Sequence, residues 1–243
     1  MTRSRHIRRR RLTVAALAAG AVLPVVAKAP KTAAGGVTTA QLTEQSRATG
    51  LTGWDLVDDA TARVHRSLTH ESSWHLWYTP RASLRHGQGR DTQYNLALAD
   101  VLRRLGFEVE VVHAAWVRGL GAQPWFQRGH LWLRVTVAGH TRDVSASREG
   151  NRAGRVPFVA VSDVQPARPW TPWVVAAGLT PFVVREVWAS MLGGREPASW
   201  LYRRMDADDG GRGRCFAHRS SRSSRDATSG WDPAASEGPT PMC

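Results

Sequence analysis

Three titratable side chains, Asp91, His130 and Asp143, stand in an order that invites an acid–base reading. Asp91 opens a stretch in which Tyr94, Leu98, Val101, Leu102 and Leu105 share one helical face, with Asp100, Arg103 and Arg104 on the other. That spacing predicts an amphipathic helix with a carboxylate at its N-terminus. His130 opens a stretch that alternates as far as Val137, and Asp143 lies near the end of the next one, His140 to Val144. Ala138-Gly139 between them suits a tight turn, so both stretches are expected as strands of one hairpin. An imidazole activates a nucleophile when the two are within hydrogen-bond reach and a third group orients the ring. The missing part is the nucleophile. Cys215 and Cys243 both sit in the polar C-terminal stretch, and Thr92 lies one step round the helix from Asp91 with no second base in evidence.

The surrounding pattern sets the elements that must position these groups. Asp55 to Ser67 has apolar residues at helical spacing. Trp74 to Tyr78 is aromatic, precedes Pro80, and is expected as an irregular segment whose rings join the core. Leu84 to Arg90 is expected as a basic, glycine-bearing loop. Gly106 is placed to end the Asp91 helix as its C′ residue. Phe107 to Val117 alternates early on and is expected as a strand, and Val156 to Val164 as a further one. Trp170 to Leu192 is apolar but interrupted by Pro172 and Pro181, with Arg185 and Glu186 inside. It is expected as one or two short helices, packed on the domain or lying at an interface, rather than as a membrane span. From Asp206 the chain is rich in Asp, Gly, Arg, Ser and Pro and holds too little apolar surface to order itself. The expected organisation is an apolar N-terminal segment or signal at 1–30, a linker at 31–53, one domain at 54–204 and a disordered tail at 205–243.

Of 243 residues, 33 are Lys or Arg and 20 Asp or Glu, giving a formal charge of +13. Only Lys28 and Lys31 are lysines, and with the Ala and Gly load this is the composition expected from the codon bias of a GC-rich, bacterial genome. No nucleic-acid motif accompanies the charge, so no specific nucleic-acid partner is expected. Six of the arginines (Arg3, Arg5 and Arg8 to Arg11) precede the apolar run Leu12 to Ala27, and Ala27-Lys28-Ala29 offers a small-x-small cleavage pattern. The arrangement is similar to a twin-arginine export signal. Export or membrane association, with surface contact through the N-terminus, is therefore the expectation, and a cytoplasmic chain the alternative. The cysteine spacing is not that of a metal site, and no metal or cofactor is expected.

Three motifs carry a resemblance. Gly89-Arg90-Asp91-Thr92-Gln93-Tyr94-Asn95 running into Leu105-Gly106-Phe107, then His130-Leu131-Trp132-Leu133-Arg134-Val135, then Arg142-Asp143-Val144, resemble in order and spacing the transglutaminase-like (papain-type) superfamily and its arylamine N-acetyltransferases. The resemblance covers about Ser72 to Ser162. It implies an α+β, papain-like core: a helix packed on an antiparallel β-sheet, with helical additions at the C-terminal end. It implies that His130 matches the general base, Asp143 the acid that orients it, and Asp91 the position of the nucleophilic cysteine. Gln93, Asn95 and Trp132 would line the cleft. A carboxylate at 91 cannot form a thioester, and an anion beside His130 favours a static ion pair. The function implied is a degenerate transglutaminase-like protein that binds a peptide or acyl partner in the former cleft. The alternatives are an active acyltransferase or amide hydrolase of the same superfamily, and a membrane-surface or envelope interaction protein.

Simpler roles fit the same residues. Asp91 is a good N-cap, His130 suits a strand end, and Asp143 could pair with Arg134 or Arg142 across the strands. A two-residue turn at Ala138-Gly139 sets Asp143 opposite Arg134, whereas another register would bring it to His130; both fit the sequence.

Overall fold

The computed structural model of the chain describes residues 2–29, 36–68, 70–120 and 125–204. The expected tail, with Cys215 and Cys243, lies outside the described residues. In chain order the elements are helices α1 (Thr2–Lys28), α2 (Thr39–Arg47) and α3 (Gly53–Arg66), strand β1 (His70–Ser72), helix α4 (Pro80–His86), strand β2 (Gln88–Gly89) and helix α5 (Asp91–Arg104). Strands β3 (Glu108–Ala114), β4 (Val117–Arg118), β5 (His130–Val137), β6 (His140–Val144), β7 (Val159–Ala160) and β8 (Val164–Pro166) follow, then helix α6 (Thr171–Leu192) and strand β9 (Tyr202–Arg204). The fold is α+β, with an antiparallel four-stranded sheet in the order β6-β5-β3-β8.

The main core forms where the apolar face of α5 meets β5. Tyr94, Leu98, Val101 and Leu102 pack with Leu133 and Val135, and α3 adds Val57, Ala60 and Val64. The other side of β5 is buried too: Trp132 belongs to a second cluster with Val112, Val117 and Phe158. This explains why Trp132, an apolar residue, stands on the face of β5 that otherwise carries His130, Arg134 and Thr136. Helix α5 ends as the sequence predicts. Gly106 has φ +94°, the Phe107 amide donates to the Leu102 carbonyl at 3.0 Å, and the Gly106 amide donates to that of Arg103 at 3.1 Å. These two bonds are a Schellman stop. The turn at Ala138-Gly139 has positive φ at both residues, which the right-handed twist of a two-residue hairpin favours.

The structure corrects four expectations. The segment expected as a linker contains α2, whose Thr38 hydroxyl accepts from the Gln41 amide while the Gln41 side chain accepts from the Thr38 amide. Leu42 of α2 enters the core, and Arg47 donates to the C-terminal carbonyl of Arg104 at 2.6 Å. The segment expected as a loop at Leu84 to Arg90 includes the last turn of α4, which starts at the Thr79 cap with Pro80 in its first turn and ends at left-handed Gly87. Residues 171–192 form a single helix that runs through Pro181. The expected strand at Val156 to Val164 survives only as the short β7 and the start of β8.

Gly106→Ala forces a Cβ into left-handed backbone. It should lower unfolding stability by about 1–2 kcal/mol with α5 retained, measured as a shift in urea midpoint at constant m-value.

Candidate functional site

Asp91 is the first residue of α5 and His130 the first of β5. His130 Nδ1 and Asp91 Oδ2 are 2.8 Å apart. Asp91 is therefore not the N-cap, a position that Arg90 occupies; its carboxylate turns to the imidazole instead. Both residues are buried, with the His130 side chain only 1% exposed. Trp132 lies parallel to the imidazole at 6.1 Å between centroids, and Phe158 meets it edge-on at 4.5 Å. Arg90 Nη2 is 3.8 Å from Asp91 Oδ1, beyond hydrogen-bond length but close enough to act as a charge.

Burial alone would raise the Asp91 pKa. The His130 hydrogen bond, the Arg90 and His130 charges and the Thr92 amide outweigh it and bring the carboxyl down from 3.8 to about 2. The start of α5, whose amides carry partial positive charge, also suits an anion. Among the described residues no hydrogen bond reaches His130 Nε2 or Asp91 Oδ1, although both atoms are buried.

Two side-chain amides fix this geometry. Asn95 donates from Nδ2 to the Leu131 carbonyl at 2.6 Å and accepts from the Ala146 amide at 2.8 Å. It therefore joins the second turn of α5 to β5 and to the chain leaving β6. Gln93 accepts from the Arg90 amide at 2.9 Å and donates to the Leu76 and Tyr78 carbonyls, each at 3.2 Å. Their hydrogen bonds hold the protein together rather than offer groups to a ligand. Gly89 lets the chain pass closely before α5: a Cβ there would lie 3.1 Å from Gln93 Cβ and 3.2 Å from Ser83 Oγ.

Asp143 is not part of the cluster. The hairpin register sets it opposite Arg134, one of the two registers left open by the sequence. Its Oδ1 accepts from Trp132 Nε1 at 3.0 Å and lies 3.5 Å from Arg134 Nε. The Asp143–Arg134 pair is well exposed and contributes little to stability. Trp132 is thus a buried ring between His130 and Asp143, with its indole N–H committed to the latter. Arg90 and Phe158 are the site residues that motif reasoning missed. Arg90 was visible as the residue before a helix-starting carboxylate, whereas Phe158 reaches the imidazole only through tertiary folding. Among the described residues no cluster of metal-binding type occurs.

No family model matches the sequence, no curated protein matches it, and no solved structure matches the fold.

A depressed carboxyl pKa stabilises the fold most above the unfolded value and progressively less as pH falls through the folded one. The stability gap between the native protein and Asp91→Asn should therefore close as pH falls between about 4 and 2, as read by chemical denaturation across pH. A gap that does not change over that range would contradict a buried carboxylate held ionised by its neighbours.

Proposed function

We propose that this chain carries a site of the transglutaminase-like, papain-type kind in which Asp91 occupies the nucleophile position, so that the protein binds a peptide or acyl partner rather than transferring an acyl group through a thiol. One observation carries the reading: the first residue of α5 meets the buried imidazole of His130 at 2.8 Å. In thiol acyltransferases of this type the nucleophile needs that place, because helix amides and a neighbouring imidazole favour its ionised form. With a carboxylate there, the pair is a fixed hydrogen-bonded couple. The uncommitted Nε2 and Oδ1 atoms are the hydrogen-bonding capacity that a peptide or acyl group would use. Because the pair is buried, such a partner has to open the shell of Trp132 and Phe158 around the ring. The absence of an Asp143–His130 contact fits a site without catalytic demand on the tautomer.

The test is Asp91→Cys. The new thiol would sit at a helix N-terminus beside His130 and Arg90, and it should ionise well below the ordinary thiol range of about 8.5. Iodoacetamide should then label it at pH 6–7 at least tenfold faster than a free cysteine peptide, and His130→Ala in that background should remove most of the advantage. A folded Asp91→Cys variant whose thiolate ultraviolet absorbance appears only at the ordinary thiol pKa of about 8.5 would show that position 91 is not a nucleophile position.

A second reading is favoured by the same unpartnered Nε2. Asp91 can orient the imidazole through Nδ1 and leave Nε2 to take a proton from water, which would make the chain an amide or thioester hydrolase without a covalent intermediate. Turnover of amide and acetyl-thioester substrates would have to fall at least 100-fold in His130→Ala and resist thiol reagents. No turnover in the native protein removes this reading.

A further inference from the structure

Helix α6 has one buried stripe, formed by Thr171, Ala176, Leu179, Val183, Val187 and Ser190. Leu179, Val183 and Val187 pack with Trp74, Leu76 and Leu201 of the domain and with Val25 of α1. Phe182, Val184 and Trp188 are half-buried beside that stripe, and the positions that do face outward are mostly apolar where a helix on a water-facing surface would be charged. Trp173, Val174, Val175, Met191 and Leu192 are exposed, Leu192 by 81%, and Arg185 is the one exposed charge on the helix, Glu186 being half-buried. Only 28% of its most apolar stretch is buried, so α6 is not a core helix that happens to be hydrophobic.

Helix α1 lies alongside it. Trp188 Nε1 donates to the Ala21 carbonyl at 2.9 Å, and Val25 is buried in the shared cluster. The outward residues of α1 continue the apolar face: Leu17 is 70% exposed, Leu23 68% and Val26 67%. From Leu12 to Ala27 the sequence holds no charged residue, and before it come six arginines and no acid. Exposed tryptophans collect at the N-terminal end of α6. Trp170 is its N-cap, and Trp173 in its first turn stacks on Trp77 at 6.0 Å between centroids.

Apolar area, indole rings and a block of cations together describe a lipid surface. Indoles favour the boundary between headgroups and acyl chains, and clustered arginines each add attraction to an anionic leaflet. A second copy of this chain would bring the same arginine block against itself. Because α6 keeps one stripe on the domain, it cannot be surrounded by lipid, so the pair must lie in the plane of the interface. We propose that α1 and α6 form a composite monotopic surface that docks this chain on an anionic phospholipid bilayer. The long stem of Arg185 lets its guanidinium reach the headgroups from the apolar face.

The full chain should float with phosphatidylglycerol–phosphatidylcholine vesicles and at least tenfold less with phosphatidylcholine alone. Replacing Arg8 to Arg11 by Gln should remove that lipid preference. Leu23→Gln with Val174→Gln and Leu192→Gln, all at exposed positions, should cut partitioning at least tenfold with an unchanged circular dichroism melt. Tryptophan emission should be quenched more by lipids brominated at carbons 6 and 7 than at 11 and 12, as shallow insertion requires. The proposal is overturned if the full chain fails to float, if the triple variant binds as well as the native chain, or if deeper bromines quench more strongly. It also falls if the triple variant only dissolves a dimer in a chain that ignores vesicles; a second copy would then cover this face.

Discussion

The position of α5 along β5 is the constraint on which the site depends, and Asn95 sets it. Apolar packing between Tyr94, Leu98, Val101 and Leu102 and the strand residues Leu133 and Val135 holds the helix against the sheet, but such contacts are non-directional. Sliding the helix by one residue would move its first turn by about 1.5 Å, enough to break a 2.8 Å hydrogen bond. The Asn95 amide is bonded at both ends, to Leu131 one residue from His130 and to Ala146, and it tolerates no such slide. Leaving either backbone group unpaired inside the core would cost about 1–3 kcal/mol. The geometry between Asp91 and His130 is thus an outcome of packing and of one buried amide, and not only of attraction between the two groups.

The two acidic residues singled out beside the histidine have opposite circumstances. Asp143 lies on a half-exposed strand position with Arg134 across from it, where water screens most of the interaction. Asp91 is shut away with Arg90 and His130, and its charge there is costly unless all three groups keep their places. A buried ionic cluster of this kind adds little net stability compared with an apolar replacement. It does impose a strict arrangement, since losing one member strands the others in an apolar shell built from Trp132 and Phe158.

What could be read beforehand follows the same division. The α5 helix, its Gly106 stop, the β5–β6 hairpin and the Ala138-Gly139 turn were legible because each rests on local periodicity or on a backbone conformation that few residues adopt. Helices α2 and α4 carried readable caps, Thr38 with Gln41 and Thr79 with Pro80, but their short, polar sequences hid them between stronger signals. The partner of Asp143 turned on strand register, which a sequence with apolar residues on both faces of β5 does not fix. Helix α6 was obscured by its prolines. Pro172 falls in the first turn, where no amide bond is lost, and Pro181 sits at an exposed position inside the helix. Phe158 belongs to neither kind of signal, since only the return of the chain through β7 brings it to the imidazole.

The apolar surface and the polar site also share a physical link. Leu76 places its side chain in the cluster beneath α6, while its carbonyl accepts a hydrogen bond from Gln93. Gln93 in turn holds the amide of Arg90, the residue that caps α5 and lends its charge to Asp91. One side-chain amide therefore connects the packing of α6 to the first turn of the helix that carries Asp91. Packed cores pass such displacements on because they have little free volume to absorb them. A shift of α6 that moved Leu76 by a few tenths of an ångström would stretch a bond already 3.2 Å long, so the site's geometry rests on α6 staying seated as much as on Asn95.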